Sequence, residues 1–397
     1  MHILHTVEQY APAVGGMAEV VRQLSERLVR LGHSVTVATG QLPERQQHVI
    51  NGVHIREFPL AGNRAFGIRG DARAYENFLL QDDFDVIANF AAQQWATDLM
   101  LPLLGRIRAK KVFVPTGFSG LYAPQYATYF VHMRSWLKQY DMNVFLSDDY
   151  RDIRFARQHG VTNTLLIPNG AAADEFLPES AVDLRQQLGV PPEQVLVLHV
   201  GSHTGCKGHA ETLRIFSKAR LQNATLLLVG NAPPEDSCQQ KCLRYGRAFN
   251  RSLWRRWDRK RIIVTSLSRA ETVAAYKAAD LFLFPSNIEC SPIVLFECMA
   301  ARTPFLTADV GNAAEIVRWS EAGLVLPPAK TQQHYGLSHV HLRKSAQMLT
   351  ELARDSARRA DLAERGFAAW QARFTWESIA RQYEALYLRL LAGEPRP

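Results

Sequence analysis

The sequence predicts an α/β chain built as two doubly wound domains, and three observations carry that prediction. Short apolar runs alternate with amphipathic helical patterns along 397 residues. Several of the runs are apolar without interruption, as strands buried on both faces of a parallel sheet are. The alternation also starts afresh after a polar, Pro-bearing stretch that ends at Pro192. A chain of this length exceeds one ordinary domain and suits two of roughly 170–200 residues each.

The first half opens with a strand over residues 2–7, followed by a loop holding Pro12, Gly15 and Gly16. A long amphipathic helix is expected from about Met17 to Leu31, stopped by Gly32-His33. Ser34–Ala38 is the next strand, and further strands are expected at Val53–Phe58, Asp85–Asn89, Lys111–Val114, Asn143–Leu146 and Thr164–Ile167. The domain boundary is placed at 175/176, so that residues 1–175 and 176–375 form the two domains. The second half begins with the strand Val195–Val200 and continues with a helix near His209–Ala219 and the strand Ala224–Val229. The strand Arg261–Thr265, the helix Ala270–Ala278 and the strands Asp280–Phe284 and Pro304–Ala308 follow, then a helix at Ala313–Trp319. A final helix, about 376–391, lies beyond the last strand signal.

The richest segment is Phe284-Pro-Ser-Asn-Ile-Glu-Cys-Ser-Pro-Ile-Val-Leu-Phe-Glu-Cys-Met-Ala300. Ser291 suits an N-cap and Pro292 the first helical position, so a helix is expected to begin there. Glu289 then lies on the loop entering the helix and Glu297 on its second turn. Between them stands a helix N-terminus whose N–H groups, around Cys290, Ser291, Pro292 and Ile293, suit a phosphate. Glu297 sits among Val294, Leu295, Phe296 and Met299, and a carboxylate near an apolar face needs a partner. Two ribose hydroxyls fit that need. A glutamate on a loop and another on a solvated helix face would be the plain alternative.

A second Gly-rich loop, Gly201-Ser-His-Thr-Gly-Cys-Lys-Gly-His209, joins a buried strand to a helix. Its glycines admit a ligand to the backbone, and Lys207 offers charge to a diphosphate. An ordinary surface loop would look similar. Thr116, Gln94, Trp95 and Tyr122 fall on loops where an acceptor-side contact is expected. Phe118, Tyr122, Tyr126, Tyr129, Phe130 and Trp136 are read as core packing ahead of sugar stacking.

Composition narrows the classes. The apolar fraction of 47% and charged fraction of 21% describe ordinary globular material. No segment reaches the roughly 18 apolar residues that span a bilayer. The N-terminus reads as a strand and the five cysteines as reduced thiols, an expectation of the cytoplasm. Cys238 and Cys242 are four apart on a helical pattern, with no second Cys or His pair at zinc-finger spacing, so no metal is expected. Between Lys241 and Arg261 stand nine basic residues against one acid, Asp258, matching the chain's whole formal excess of +8. Leu243, Tyr245, Phe249, Leu253, Trp254 and Trp257 are interleaved with them. The segment reads as a solvated helix face or as a docking surface for anionic lipid headgroups at the inner face of the membrane. No nucleic-acid motif accompanies it.

Glu-x7-Glu after Pro-Ser, with Gly15-Gly16, Asn169-Gly170 and the lysine loop, resembles the retaining family 4 glycosyltransferases over most of the chain. The resemblance implies a GT-B fold, with two facing Rossmann-like domains, an interdomain cleft and a C-terminal helix that crosses back to brace the first domain. It implies a nucleoside diphosphate sugar donor, a glycan or lipid-linked glycan acceptor, and no cofactor or metal. Glu297 would hold the donor ribose, Glu289 the donor sugar, and Lys207, Gly15, Gly16, Gly201 and Ser202 would surround the diphosphate. Two departures stand out. Ser202 occupies the place of the family's arginine, leaving Lys207 alone or aided by His203 or another arginine. No histidine follows the strand Lys111–Val114, where Pro115-Thr116 stands instead. An epimerase or hydrolase acting on nucleotide sugars, or a non-catalytic binding protein, shares the same outline.

Overall fold

The structure, a computed structural model, describes residues 1–13, 15–81, 83–231, 237–252, 255–329 and 337–394, apart from the side chains of Arg255 and Arg256. The readings of Leu253, Trp254 and those two arginines therefore lie outside the described residues. The chain divides into two units, Met1–Asn169 with Trp376–Pro397, and Gly170–Thr375.

The first unit is built on β1 (His2–Thr6), β2 (Ser34–Gly40), β3 (Val49–Ile50), β4 (Val53–Phe58), β7 (Val86–Phe90), β8 (Lys110–Val114), β9 (Met142–Phe145) and β10 (Thr164–Leu166), with a separate hairpin of β5 (Ala61–Asn63) and β6 (Gly67–Arg69). The sheet runs β10-β9-β8-β7-β1-β2-β4-β3. Its strands are parallel except for the edge strand β3. Ile3 on β1 registers with Val35 on one side and Val86 on the other. The winding direction reverses between β1 and β7, so the loops leaving those two strands flank a crevice at their carboxyl ends.

The helix Gly16–Arg30 follows β1 and carries one apolar stripe, Val20, Val21, Leu24 and Leu28, buried against the sheet. The final helix, Trp376–Ala392, packs against it and also meets β8. Arg27 pairs with Glu377 at 2.7 Å and His33 with Glu384 at 2.8 Å. The Tyr387 hydroxyl lies 3.3 Å from Nε2 of the buried His5 on β1. Two side-chain pairs thus tie the final helix to the helix Gly16–Arg30 and the turn after it, and one polar contact ties it to β1.

The second unit holds β11 (Val195–Val200), β12 (Ala224–Val229), β13 (Lys260–Thr265), β14 (Leu281–Phe284), β15 (Phe305–Thr307) and β16 (Gly323–Val325) in the order β13-β12-β11-β14-β15-β16, all parallel. Every residue of β12 and β14 is buried, as near-continuous apolar runs require, Thr225 being the single polar residue among them. Counted from β11, this is the 3-2-1-4-5-6 order of a dinucleotide-type sheet, with its switch point between β11 and β14. The Gly201 loop leaves β11 there, and the Glu289 loop leaves β14.

Several expectations need correction. The helix after β14 spans Ile293–Ala300, and its N-cap is Pro292 in an extended conformation (φ −70°, ψ 109°), one residue later than expected. Lys260 and Arg261 belong to β13, not to the basic helix. Lys260 is buried, its ammonium held by the carbonyls of Phe216 at 2.5 Å and Ala219 at 2.9 Å, and Arg261 reaches those of Leu188 and Gly189. Helix C-termini present such unsatisfied carbonyls to cations. The helices Leu342–Arg354 and Ser356–Arg373 and the short strand β16 were not read from the sequence.

Candidate active site

Lys207 and Glu289 meet directly. Lys207 Nζ donates to Glu289 Oε1 at 2.8 Å, and Ser286 Oγ donates to the same oxygen at 2.8 Å. The pairing follows from how the two loops are fastened. Asn287 donates its N–H to the Cys206 carbonyl at 2.9 Å. Gly208 has φ +74°, and a Cβ there would lie 2.1 Å from the Pro285 carbonyl oxygen. Only glycine lets the lysine loop close on the glutamate loop so tightly. On the far side, the Asn312 N–H donates to the Cys290 carbonyl at 2.8 Å, so the segment between the two acids is held from both flanks.

Glu297 is 4% exposed on the second turn of its helix. Its partner differs from the expected ligand hydroxyl: Arg269 Nη1 donates to Glu297 Oε1 at 2.6 Å. Arg269 also pairs with Glu175 and lies over the Phe176 ring. Burial, and then the Glu297 charge, hold the Tyr276 phenol and the Cys298 thiol well above their ordinary pKa. Arg269 escaped the sequence reading, although a signal was present. Ser268-Arg-Ala-Glu271 is a capping box, made here by Ser268 and Glu271, and it places Arg269 in the first turn of the helix Arg269–Ala278.

The lysine loop contributes unevenly. Gly201 is pressed against Lys207, to whose Cβ a Cβ at Gly201 would approach within 3.2 Å. Ser202 is exposed. His203 is buried and stacked on His209 at 4.2 Å, with 20° between the rings, so its imidazole is turned into the fold rather than offered as a surface cation. Burial drives His199 down to about 4 and His209 to about 2, leaving both neutral.

In the first unit, Gly15 stands at the N-cap and Gly16 opens the helix after β1. A Cβ on either would meet nothing within 4 Å among the described residues. The chain's own packing therefore does not demand glycine at these positions; Val14 lies outside the described residues. Gln94 is buried as a bracket. Its Oε1 accepts the Glu8 N–H at 2.9 Å and its amide reaches the carbonyls of Phe90 and Ala91, joining the loops after β1 and β7. Trp95 is fully buried, edge-on to Tyr75 at 5.1 Å. These two are core parts of the unit, correcting the expectation of acceptor contact.

Thr116 and Tyr122 are differently placed. Thr116, Gly117 and Phe118 take φ of 56°, 100° and 47° in succession, and Ala91 and Gln93 are left-handed as well. Such a concentration at the carboxyl ends of β7 and β8 is a store of strain of about 1–3 kcal/mol per non-glycine residue. Asp152 holds the turn by accepting the Gly117 N–H at 2.8 Å, and burial raises its carboxyl to about 6. Tyr122 is 63% exposed, with the Arg151 guanidinium 5.7 Å from its ring. Phe118, Tyr129, Phe130 and Trp136 are buried, as read, whereas Tyr126 is half-buried and the exposed Tyr122 departs from the core reading.

Residues 14–175 match the family model described as Glycosyltransferase Family 4, and residues 194–335 match that described as Glycosyl transferases group 1. The lipopolysaccharide glucosyltransferase WaaG of Escherichia coli is 24% identical over 84% of this chain and 87% of its own. Among solved structures, sucrose-phosphate synthase of Thermosynechococcus elongatus aligns over 99% of this chain and 100% of its own, with a TM-score of 0.78 and 22% identity. The Anabaena protein HepE, solved with UDP and glucose, aligns over 97% and 99% with a TM-score of 0.73 and 17% identity.

Proposed function

Because the chain belongs to the family 4, group 1 glycosyltransferases and has their two-domain GT-B fold, we propose that it moves a sugar from a nucleoside diphosphate sugar to a hydroxyl of a glycan or lipid-linked glycan, with retention at the anomeric carbon. The observation that carries this reading is the pairing of Lys207 with Glu289 at the β11/β14 switch point, on the loop that enters the helix carrying the buried Glu297.

In this reading the donor diphosphate rests on the first-turn N–H groups at Ile293, where helix geometry leaves amides without an internal carbonyl. Lys207 moves between the Glu289 carboxylate and the phosphates, neutralising charge as it grows on the departing diphosphate. Glu289, fixed by Ser286, orients hydroxyls of the transferred sugar. Glu297 accepts from the ribose hydroxyls, with Arg269 balancing its charge. The reading needs no metal at the phosphates, because lysine and peptide dipoles supply the positive potential there. Glu289 shares one oxygen with Lys207 and Ser286, which suits an orienting group better than a carboxylate nucleophile of the glycosidase kind. Thr116 and Tyr122 are assigned to the acceptor side.

HepE's bound UDP and glucose support a nucleotide-sugar donor, and the name of WaaG supports a lipid-linked acceptor. The test is thermal-shift screening against uridine, guanosine and adenosine diphosphate sugars, followed by product analysis with and without acceptor. A donor that stabilises the protein and is consumed only with acceptor supports the transferase. Conversion of donor alone to epimer or free sugar overturns it, and binding without turnover across an acceptor panel assigns a non-catalytic role.

A further inference from the structure

We propose that His203, Cys238 and Cys242 bind one zinc-type divalent cation that fastens the loop after β11 to the helix Ser237–Arg251. One potential ligand atom from each of the three residues lies within 4.8 Å of the others. They come from separate parts of the chain, which is why sequence spacing did not join them.

The two cysteines stand at i and i+4 on the helix Ser237–Arg251 and so share one face. That face turns inward: Cys242 is buried, and Gly246, one turn further, lies against Ile262 and Val264 of β13. The imidazole arrives from the loop after β11 and is held firmly. The His203 N–H donates to the Asn231 carbonyl at 3.0 Å. One ring face stacks on His209 at 4.2 Å. Gly230 leaves room for the ring, since a Cβ there would stand 3.1 Å from His203 Nε2.

Two thiols and an imidazole form a borderline-soft donor set. It favours zinc and its neighbours and disfavours magnesium and calcium, which take oxygen ligands. A tetrahedral ion with Zn–S of about 2.3 Å and Zn–N of about 2.0–2.1 Å sets its ligand atoms about 3.6–3.8 Å apart. The group as it stands, with its ligand atoms within 4.8 Å of one another, needs to contract by no more than about 1.2 Å. Cys238 is half-buried, so water can complete the fourth position from that side. On binding, each thiol gives up its proton to the solvent and each sulfur donates an electron pair to the cation, while a neutral imidazole nitrogen does the same.

The inference does not depend on the donor or acceptor assignment. Its test uses the full chain, reduced and stripped with a chelator, titrated with Zn²⁺ by calorimetry and with Co²⁺ by the thiolate-to-cobalt charge-transfer band. The expected result is one equivalent of metal per chain, with proton release. Cys238→Ser and His203→Gln should each weaken binding beyond the about 10–100-fold that loss of an outer-shell partner costs. Cys206→Ser and Cys290→Ser should bind as the parent does. Cys242 is too buried to be the sole probe, and the half-buried Cys238 provides the variant expected to fold, with circular dichroism as the check. Absence of stoichiometric binding to the folded reduced chain, or parental affinity in both Cys238→Ser and His203→Gln, overturns the proposal.

Discussion

Lys207 Nζ lies 2.8 Å from Glu289 Oε1 across two loops that leave neighbouring strands of one sheet. The pair makes one unit of two residues 82 positions apart, and its members are expected to fail together. Lys207→Ala should lower kcat by about 10²–10³, the loss seen when one preorganised electrostatic donor is removed. Glu289→Gln should lower it as well, and the double variant should fall well short of the product of the two losses. Steady-state kinetics on the donor identified by thermal shift provides the measurement, and full activity in Lys207→Ala removes the lysine from the mechanism.

Glu297 has two tasks in the proposed site, and they separate by experiment. Glu297→Ala should weaken nucleoside diphosphate binding at least tenfold, about 1.4 kcal/mol, in calorimetry. Arg269 retains Glu175 as a partner in that variant, so stability should change little. Arg269→Ala does the reverse, leaving a buried carboxylate without its cation, and should lower the unfolding midpoint more than Glu297→Ala does. Unchanged nucleotide affinity in Glu297→Ala would falsify the ribose role.

Much of this was legible in the residues, and the omissions have physical causes. The strands β12 and β14 are nearly continuous apolar runs, so their existence and burial could be read directly, as could the helix carrying Glu297. Its start was displaced by one residue because Pro292 adopts an extended N-cap conformation instead of entering the helix. Gln94 and Trp95 looked like loop residues, yet Gln94 brackets two loops and Trp95 fills the core; sequence gives polarity and size but not direction. Arg269 and Asp152 act through partners 28 and 35 residues distant, so a local pattern such as the capping box places Arg269 on a helix without revealing its partner. β16 escaped because three residues, one of them glycine, carry almost no periodicity.

Gly208 is the hinge pin of the lysine loop. Gly208→Ala must accommodate both φ +74° and a Cβ 2.1 Å from the Pro285 oxygen, so the two loops have to part. A loss of stability of about 1–3 kcal/mol is expected, together with a fall in kcat as the Lys207–Glu289 contact opens. Urea denaturation and kinetics on the same variant measure the two effects, and parental values in both would show that the loops are not locked here.

Two kinds of buried group give stability opposite pH dependences. Asp152 is raised by burial from 3.8 to about 6, so its protonated form favours the fold; that contribution is present below about pH 3.8 and is lost as pH rises through about 6. His199 is lowered from 6.5 to about 4, so its neutral form favours the fold; that contribution is present above about pH 6.5 and is lost as pH falls towards 4. Comparison of Asp152→Asn with the parent isolates the first. Between pH 4 and 6 the stability difference should move in the variant's favour by about 2 kcal/mol, read as unfolding midpoints in urea across that range. A pH-independent difference would show that Asp152 titrates as an ordinary surface carboxylate.

The basic segment makes the last prediction, and the structure sharpens which residues carry it. With Lys260 and Arg261 occupied at helix C-termini, the exposed cations of this stretch among the described residues are Lys241, Arg244, Arg247, Arg251 and Arg259, and Trp257 stands 86% exposed beside them. Among the described residues no helix is long and apolar enough to cross a membrane, so an attachment of this kind would be peripheral. An exposed tryptophan among cations suits the headgroup layer, where each basic residue contributes about 1 kcal/mol against an anionic leaflet and salt screens the attraction within a Debye length of about 8–10 Å. Co-sedimentation with vesicles containing phosphatidylserine should therefore weaken as salt rises. Replacing Arg247, Arg251 and Arg259 with glutamine should reduce it by about 3 kcal/mol, roughly 150-fold, and Trp257→Ala should reduce it at every salt concentration. Neutral vesicles should bind far less. Sedimentation that is absent, or indifferent to salt and to these substitutions, leaves the segment as a solvated helix face packed on the sheet through Cys242, Gly246 and Phe249.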